Sequence, residues 1–296
     1  MTNAAVQLET AEGTALPDLP YDYLFLAPGV AGPSPWAAGA EGHPVSRAER
    51  IAWFKTQAET LAMAKRVLIV GGGVVGCELA GEILQDYTGA AAKEVTIVHS
   101  GPALLLGGGV PKEAIPAKLV DNMLVKLKAM GLKDVHTGDR VNMVEGRFEA
   151  VTAKGVPVPH DMVFNCVGGF KPATAFLAGS AVALDERGCI IVDATLAVPG
   201  SEGRIFAAGD AAALKDLKGG YFASLQAEAV AANLVAAIRG HKVKAIKPND
   251  QAIFISLGRK DGVGNLGGSV FNSGCFISMV KSKDLFVSKV RKEHGV

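Results

Sequence analysis

Gly71-Gly72-Gly73-Val74-Val75-Gly76-Cys77-Glu78 joins an apolar run to a segment with helical spacing. The run before it, 67–70, is typical of a buried parallel strand. Residues 74–87 repeat apolar side chains on one helical face, and 94–99 again have the pattern of a strand. The order strand, glycine turn, helix, strand predicts a βαβ unit.

Three glycines of this turn, Gly71, Gly73 and Gly76, have the GxGxxG spacing. The first allows a sharp turn off the strand, the second lets the backbone approach a pyrophosphate, and the third lets the helix pack closely on the sheet. A tight strand-to-helix turn alone would also favour glycine. Inside a complete βαβ unit, the pattern predicts that a dinucleotide is bound by the turn and the first residues of its helix: Gly71, Gly72, Gly73, Val74, Val75, Gly76 and Glu78.

The end of the second strand leaves the type of dinucleotide open. An acidic residue there usually holds a ribose 2′-hydroxyl, whereas an arginine favours a 2′-phosphate. This chain has His99 and Ser100, which are neither. A partly protonated histidine tolerates a phosphate and a serine donates to either ligand. His99 is therefore a candidate coenzyme-binding residue, and NAD and NADP both remain candidates.

Composition and charge narrow the class of protein. The 296 residues suffice for two domains, and a hydrophobic content of 49% fits an α/β protein with buried strands. A net charge of +1 argues against nucleic acid as a partner. No uninterrupted apolar stretch approaches the roughly 18 residues of a membrane span, and no signal peptide is recognisable. Thr2 stands where N-myristoylation requires glycine.

Cysteines and histidines give no sign of a metal or a redox dithiol. Cys77, Cys166, Cys189 and Cys275 form no CxxC pair, which favours a reducing compartment. The six histidines have no ligand spacing with one another or with cysteine, so no metal site is predicted. These features favour a cytoplasmic protein, with peripheral association with a membrane left open.

Further elements are predicted from periodicity, caps and turn residues. Ser46 and Glu49 have capping-box spacing at the start of a helix over 46–63. Lys260-Asp261-Gly262 predicts a hairpin turn. The other predictions are strands over 6–10, 21–29, 161–169, 189–193, 204–210 and 252–257, and helices over 112–130 and 222–239.

Three segments together resemble the two-dinucleotide flavoproteins of the pyridine nucleotide-disulfide oxidoreductase superfamily. Residues 21–29 resemble their "YDyLvlATG" segment, with Pro28 in place of threonine, and 71–78 resemble their GxGxxGxE motif. Residues 203–210 resemble their second flavin motif, in which the aspartate accepts from the ribityl hydroxyls of FAD. The resemblance implies FAD contacts at Gly29, Gly209 and Asp210, although an aspartate after a buried strand is also a common helix cap.

The C-terminal part narrows the resemblance. Residues 256–264 and 281–288 are similar to the apoptosis-inducing-factor-like branch that includes the ferroptosis suppressors. This implies an FAD-dependent NAD(P)H:quinone oxidoreductase with FAD and NAD(P)H as cofactors and a quinone-type acceptor. Hydride would pass from NAD(P)H to flavin directly, which accounts for the missing cysteine pair.

The same resemblance assigns catalytic roles to Glu78, Lys281 and Phe286. Glu78 would lie near the nicotinamide-side ribose or amide; the alternative is a solvated acid favoured by the helix dipole. Lys281 would place positive charge near the flavin, and Phe286 would offer an aromatic wall to a quinone, with Leu285 packed inward. The alternative for 281–288 is an edge strand or surface helix kept soluble by its lysines. Gly168, one of the two glycines that end the strand predicted over 161–169, is one more coenzyme-binding candidate.

One departure from the family pattern concerns the first FAD motif. The family opens with a βαβ unit whose own GxGxxG holds the ADP part of FAD. Only 20 residues precede Tyr21 here, without a glycine motif, whereas a βαβ unit takes about 30. The sequence therefore predicts weak FAD binding by the chain as written and keeps open a non-catalytic NAD(P)H-binding module. A disulfide reductase is disfavoured, because no cysteines are paired.

The predicted fold class is α/β. A Rossmann-like NAD(P)-binding domain is inserted in an FAD-binding domain that is incomplete here, and a small α+β C-terminal domain follows. The predicted domains are a remnant of the first FAD segment over 1–63, the NAD(P)H-binding domain over 64–168, the second FAD segment over 169–240, and the C-terminal domain over 241–296.

Overall fold

A computed structural model describes residues 5–10, 13–32, 46–107, 115–144, 147–168, 171–215, 218–247, 252–282 and 286–295. The strands are β1 Ala5–Glu9, β2 Ala15–Pro20, β3 Leu24–Leu26, β4 Val30–Ala31, β5 Arg66–Val70, β6 Glu94–His99, β7 Asp134–Thr137, β8 Val141–Val144, β9 Arg147–Thr152, β10 Met162–Asn165, β11 Lys171–Pro172, β12 Ile205–Ala207, β13 Ala252–Leu257, β14 Asp261–Leu266 and β15 Ser269–Phe271. The α-helices are α1 Arg47–Met63, α2 Val74–Asp86, α3 Ala117–Ala129, α4 Gly220–Ile238, α5 Gly274–Ile277 and α6 Val287–His294.

The chain folds into two compact units, each built from two separate segments. The first unit comprises Met1–Ala37 and Gly169–Asp250, and the second comprises Ala38–Gly168 and Gln251–Val296. The first segment of the second unit is thus inserted in sequence between the two segments of the first unit, and its second segment follows them.

The second unit is built on a four-stranded parallel sheet with the order β10-β5-β6-β7. Its central strands are buried on both faces, as the apolar runs predict, with Ile69 and Ile97 fully buried. Helix α2 crosses between β5 and β6, which confirms the predicted βαβ unit. The carboxyl ends of β5, β6 and β10 meet at one edge of the sheet, where ligands bind in such folds.

The C-terminal segment of the second unit forms the antiparallel sheet β13-β14-β15. Strand β13 packs directly on helix α2: a Cβ at Gly81 would lie 2.6 Å from the Cα of Leu257. Only glycine permits this approach. The close packing brings the last part of the chain to the helix that begins at the glycine turn.

The first unit contains three two-stranded sheets, β1-β2, β4-β11 and β3-β12, among the residues that the structure describes. Strands β3 and β12 run parallel with Phe25 opposite Phe206, and Phe206 is fully buried. Helix α4 buries one face that includes Gln226 and Asn233. The amide of Asn233 donates to the carbonyls of Thr195 and Lys244 at 2.9 Å each, which satisfies a buried polar group.

Helix α4 is also, among the described residues, the helix that is long and apolar enough to cross a membrane, with a mean hydropathy of 1.3. A core helix of a soluble protein meets the same criterion.

Most predicted elements are confirmed with small shifts at their ends. The capping box is present: Ser46 Oγ accepts from Glu49 N, and the carboxylate of Glu49 accepts from Ser46 N at 3.1 Å. The helix predicted over 112–130 is observed as Ala117–Ala129, and residues 112–114 lie outside the described ones.

Two predictions are wrong. Residues 189–193 do not form a strand: the carboxylate of Asp185 accepts from Cys189 N at 2.8 Å, and Ile190 makes isolated bridges to Leu184 and Ala212 instead of a ladder. The hairpin turn lies at 258–260 rather than at Lys260-Asp261-Gly262, since Asp261 already pairs with Leu257 in the ladder. Gly258, at φ +67°, takes the left-handed conformation that closes this turn.

Candidate coenzyme and acceptor site

The glycine turn between β5 and α2 depends on two of its glycines for its shape. Gly71 has a φ of +109°, and a Cβ there would lie 2.5 Å from the carbonyl carbon of Cys166. A Cβ at Gly76 would lie 1.9 Å from the carbonyl oxygen of Gly71. Any side chain at either position would force the strand, the turn and the helix apart. These two glycines are therefore required by the fold itself.

Gly73 differs from both, because a Cβ on it would meet no atom within 4 Å. It is the N-cap of α2, and no side chain caps this helix end. The first N–H groups of the helix, at 74–76, therefore lie without a side-chain cap at the positive end of the helix dipole. The arrangement fits the pyrophosphate of a dinucleotide. Gly168, at the carboxyl-terminal side of β10, also borders open space.

His99 lies at the end of β6, but its ring is buried and engaged with the protein. The amide of Gly72 donates to Nδ1 at 3.2 Å, and Nε2 lies 2.7 Å from the carbonyl oxygen of Leu106. The side chain is 6% exposed. The sequence offers His99 as a partner for the 2′-group of the coenzyme; the structure corrects this, since both ring nitrogens already have protein partners.

Glu78 and Lys281 form an ion pair although 203 residues separate them in sequence. Glu78 lies in the second turn of α2, and Lys281 lies in a π-helical turn, Ser278–Ser282, after α5. Their Oε1 and Nζ atoms are 2.5 Å apart, and each side chain is 23% exposed. π-Helical turns are frequent at functional sites. The solvated first-turn acid that the sequence keeps as an alternative for Glu78 is not what the structure has.

Strand β13 completes the environment of this pair. Ser256 donates to Glu78 Oε1 from both its amide, at 3.0 Å, and its hydroxyl, at 3.1 Å. The ammonium of Lys281 also donates to the carbonyl oxygen of Phe254 at 3.0 Å. One carboxylate oxygen thus accepts from three donors, which fixes the position of the Glu78 side chain on helix α2.

Three phenylalanines of the C-terminal segment cluster beside this pair: Phe254 on β13, Phe271 on β15 and Phe276 on α5. Phe271 and Phe276 stack with ring centroids 5.2 Å apart, and Phe254 packs at 6.5 Å and 6.1 Å from them. Phe254 is the residue whose carbonyl binds Lys281. Ser256 lies in the segment 256–264 that carries the family resemblance, but its contact with Glu78 was not predicted, and the aromatic cluster belongs to no recognisable motif.

Phe286 is the N-cap of α6, with a left-handed φ of +62°, and is 43% exposed. A non-glycine residue in this conformation is uncommon. Leu285, predicted to pack inward, lies outside the described residues. The surface-helix alternative for the end of the chain agrees with α6, whereas the edge-strand alternative does not.

In the first unit, the predicted FAD residues occupy a strand end and a helix start. Gly29 and Gly209 have positive φ angles of 68° and 76°. Asp210 Oδ1 accepts from the amide of Gly219, the N-cap of α4, at 2.8 Å. Asp210 therefore lies at the N-terminus of α4, where it binds the amide of the N-cap residue itself, and it is half-buried. No side chain caps the amides of the first turn of α4. An acidic acceptor beside these glycines fits the hydroxyl groups of a flavin side chain.

Cys77 and Cys166 of the second unit have largely buried thiols, whereas Cys275 of the same unit is exposed. Burial raises the pKa of Cys77, with the charge of Glu78 as a second cause, and burial raises the pKa of Cys166 to about 11. Such thiols are poor nucleophiles at neutral pH. Among the described residues, no group of three or more histidine, cysteine or acidic side chains could hold a metal ion.

The sequence model of the pyridine nucleotide-disulphide oxidoreductases matches residues 1–240, which is most of the chain. The chain belongs to this family. Among family members, ferroptosis suppressor protein 1 of Xenopus laevis is 31% identical over 283 residues, covering 94% of this chain and 73% of that protein. The human protein of the same name is 30% identical, covering 91% and 70%. Apoptosis-inducing factor homolog B of Dictyostelium discoideum is 27% identical, covering 92% and 73%. The predicted branch of the family is confirmed.

Solved structures support the α/β fold of this pyridine nucleotide-disulphide oxidoreductase. A water-forming NADH oxidase from Lactobacillus brevis, bound to NADH, superposes with a TM-score of 0.64 at 20% identity, covering 88% of this chain and 56% of that one. A NAD-dependent persulfide reductase from A. fulgidus gives a TM-score of 0.64 at 21% identity, covering 88% and 46%. The chain thus spans about half the length of these solved structures.

Proposed function

We propose that this chain acts as an FAD-dependent oxidoreductase that oxidises NAD(P)H and reduces a quinone-type acceptor. Membership of the family supports the two cofactors, as does the FAD-dependent oxidoreductase FVFD30 of Flammulina velutipes, 30% identical over 283 residues. The resemblance to the ferroptosis suppressors supports the quinone. The observation that carries the proposal is the ion pair between Glu78, on the helix that begins at the glycine turn, and Lys281, in the π-helical turn Ser278–Ser282.

The residues of the second unit would bind and orient the coenzyme. The amides at the start of α2 hold the pyrophosphate above Gly73, and Glu78, fixed by Ser256 and Lys281, lies one turn further along the same helix. Bound FAD supplies the hydride and electron chemistry, which no side chain can perform. The resemblance to the apoptosis-inducing-factor-like branch supports a role for the ammonium of Lys281 in stabilising the negative charge that builds up on reduction.

The domain assignment follows from the same argument. Residues 64–168 hold NAD(P)H. The segments 1–63 and 169–240 contribute Gly29, Gly209 and Asp210 to the FAD site. Residues 241–296 contribute the side chains that contact the quinone acceptor. Support for the last assignment is the position of Lys281 and of the aromatic cluster in the C-terminal segment.

The first test concerns Phe286, whose exposed aromatic ring would stack against the quinone acceptor. Replacing Phe286 with alanine should raise KM for a quinone three- to tenfold, since a stacking contact contributes about 0.5–1.5 kcal/mol, and should leave NADH affinity unchanged. Steady-state kinetics of the flavin-loaded protein with several quinones measure both. Phe54 on α1, 50% exposed, is the matched control, and its alanine variant should behave as wild type. Equal KM values for the Phe286 variant and wild type would reduce Phe286 to a surface residue.

Peripheral association with a membrane is part of the proposal, because long-chain quinones reside in lipid. Support comes from the end of the chain, where Met279, Val287 and Val290 are exposed large apolar side chains. Exposed cations, Lys289, Arg291 and Lys292, alternate with them along α6. Basic and apolar side chains on one short helix are typical of an anionic lipid surface.

Co-sedimentation with vesicles tests this association. The double variant Val287→Asp/Val290→Asp should lose most of the binding to vesicles rich in phosphatidylserine, because it removes apolar contacts and adds negative charge. Val125→Asp on α3, at a residue 67% exposed, is the control and should bind as wild type. Equal binding of the wild type and both variants would contradict a role of α6 in membrane association.

A further inference from the structure

We propose that His99 is a positioning residue that holds the coenzyme turn only while its imidazole is neutral, so that protonation of His99 weakens dinucleotide binding. The inference rests on the proposed function in one respect, namely that the glycine turn binds a dinucleotide. It gives His99 a role different from direct contact with the coenzyme.

The two hydrogen bonds of the ring fix its tautomer. A peptide N–H can only donate and a peptide carbonyl can only accept. Because the Gly72 amide donates to Nδ1, this nitrogen carries no proton, and Nε2 must carry one to donate to the Leu106 carbonyl. The neutral Nε2–H form of His99 therefore satisfies both groups, and the protonated form cannot.

The ring also joins two segments that have little freedom to rearrange. The amide of Leu105 donates to the carbonyl of Gly72 at 2.8 Å, so the loop after β6 and the glycine turn are bound to each other twice. A Cβ at Gly72 would lie 2.4 Å from Leu104 Cδ2, and a Cβ at Gly101 would lie 2.6 Å from Nε2 of His99. This packing leaves the imidazole no room to turn away.

Protonation would place a second N–H on Nδ1, directed at the N–H of Gly72. Two donors facing each other in a buried site cost the lost hydrogen bond and the desolvation of both groups. The turn and the ring must then separate. Because Gly72 directly precedes Gly73 and the amides that face the pyrophosphate, a smaller fraction of molecules keeps the turn in its binding conformation, and the apparent affinity falls in proportion.

Of the titratable groups around the ring, the thiols of Cys77 and Cys166 are neutral, and the carboxylate of Asp139 is charged but already accepts hydrogen bonds from other residues. Cys77 donates its thiol to the carbonyl of Gly72 at 3.5 Å, and Cys166 lies against Gly71; burial raises the pKa of both thiols, which keeps them neutral. Asp139 donates its amide to the carbonyl of His99 at 3.2 Å. Its carboxylate has its pKa lowered by hydrogen bonds from Thr152 and from the amides of Arg140 and Lys154, which outweigh the effect of burial.

Affinity for NAD⁺ as a function of pH tests the proposal. NAD⁺ survives mild acid and has no 2′-phosphate that titrates in this range. Calorimetric titration of the wild-type chain from about pH 8 to about pH 5, the range in which imidazoles gain a proton, should show the dissociation constant rising about tenfold.

The variant His99→Asn separates the titration of the ring from its packing. An amide oxygen can accept from Gly72 in place of Nδ1 and does not titrate, so the dissociation constant of this variant should vary with pH by less than about twofold. His136→Asn, on the neighbouring strand β7, is the control and should keep the wild-type pH dependence. A wild-type dissociation constant that does not change with pH would overturn the proposal while leaving the proposed function intact. No binding at any pH would contradict both.

Nitrogen chemical shifts of the imidazole give a second measurement that needs no variant. At neutral pH we expect His99 in the Nε2–H form, and the amide resonance of Gly72 should titrate together with the ring. An Nδ1–H tautomer, or an amide chemical shift of Gly72 that stays constant while the ring titrates, would overturn the proposal.

Discussion

Replacing Gly73 with valine is expected to lower the affinity for NAD(P)H by about a hundredfold or more, equivalent to about 3 kcal/mol. The valine side chain would occupy the open space above the turn, where a Cβ meets no protein atom within 4 Å. The dinucleotide needs that space for its pyrophosphate. The clash is therefore with the ligand and not with the protein.

For the same reason the Gly73→Val variant should fold. Gly73 has a φ of −75° and a ψ of −171°, which any residue adopts, and exchanging a glycine N-cap for valine costs about 1 kcal/mol at most. Calorimetric titration measures the loss of affinity, and thermal unfolding measures the change in stability. NADH binding within threefold of wild type would mean that the pyrophosphate lies elsewhere.

Gly76→Ala is the matched control for that experiment. Its Cβ would lie 1.9 Å from the carbonyl of Gly71, so the variant should lose stability together with affinity. The contrast between the two glycines separates a residue that makes room for the ligand from one that makes room for the fold.

Replacing Lys281 with methionine should lower kcat for quinone reduction by about a hundredfold, the effect typical of removing one electrostatic stabiliser of a developing charge. Methionine preserves much of the apolar stem and removes the ammonium group. NADH affinity should remain within about threefold of wild type, because Ser256 still donates two hydrogen bonds to Glu78 and the glycine turn is unchanged. Stopped-flow and steady-state kinetics of the flavin-loaded protein measure the two quantities.

A purely structural role of Lys281 predicts a different result. Ser256→Ala removes the hydroxyl that donates to Glu78 Oε1 and leaves the amide donor of the same residue in place. It therefore tests the same packing without removing a charge. If Lys281 only fastens the C-terminal segment to α2, both variants should unfold at lower temperature and turn over at similar rates. Wild-type turnover of Lys281→Met with every quinone tried would contradict the catalytic role.

Local patterns predicted the part of the site that is continuous in sequence. The strand, the glycine turn and helix α2 follow from an apolar run, a glycine spacing and a helical period within residues 67–99. Ser46 and Glu49 predicted the start of α1 in the same way, because a capping box is formed by neighbours.

Contacts between distant segments could not be predicted from the sequence. The partners of Glu78 come from 178 and 203 residues away, and they meet because Gly81 lets β13 pack against α2. The position of His99 at the end of β6 marked it as a candidate. The orientation of its ring, however, depends on the backbone carbonyl of Leu106 in the following loop, and a backbone contact leaves no pattern in the sequence. The failed strand at 189–193 has a similar cause, since the carboxylate of Asp185 competes for its backbone.

The measurement closest to the central claim is an anaerobic titration of the flavin-loaded protein with NADH, followed by addition of a quinone. We expect the visible absorbance of the flavin to fall in proportion to the NADH added and to return when the quinone is supplied. Calorimetry on the same sample reports whether NADH binds. Binding of NADH without any change in flavin absorbance would contradict the account and would favour a non-catalytic dinucleotide-binding protein.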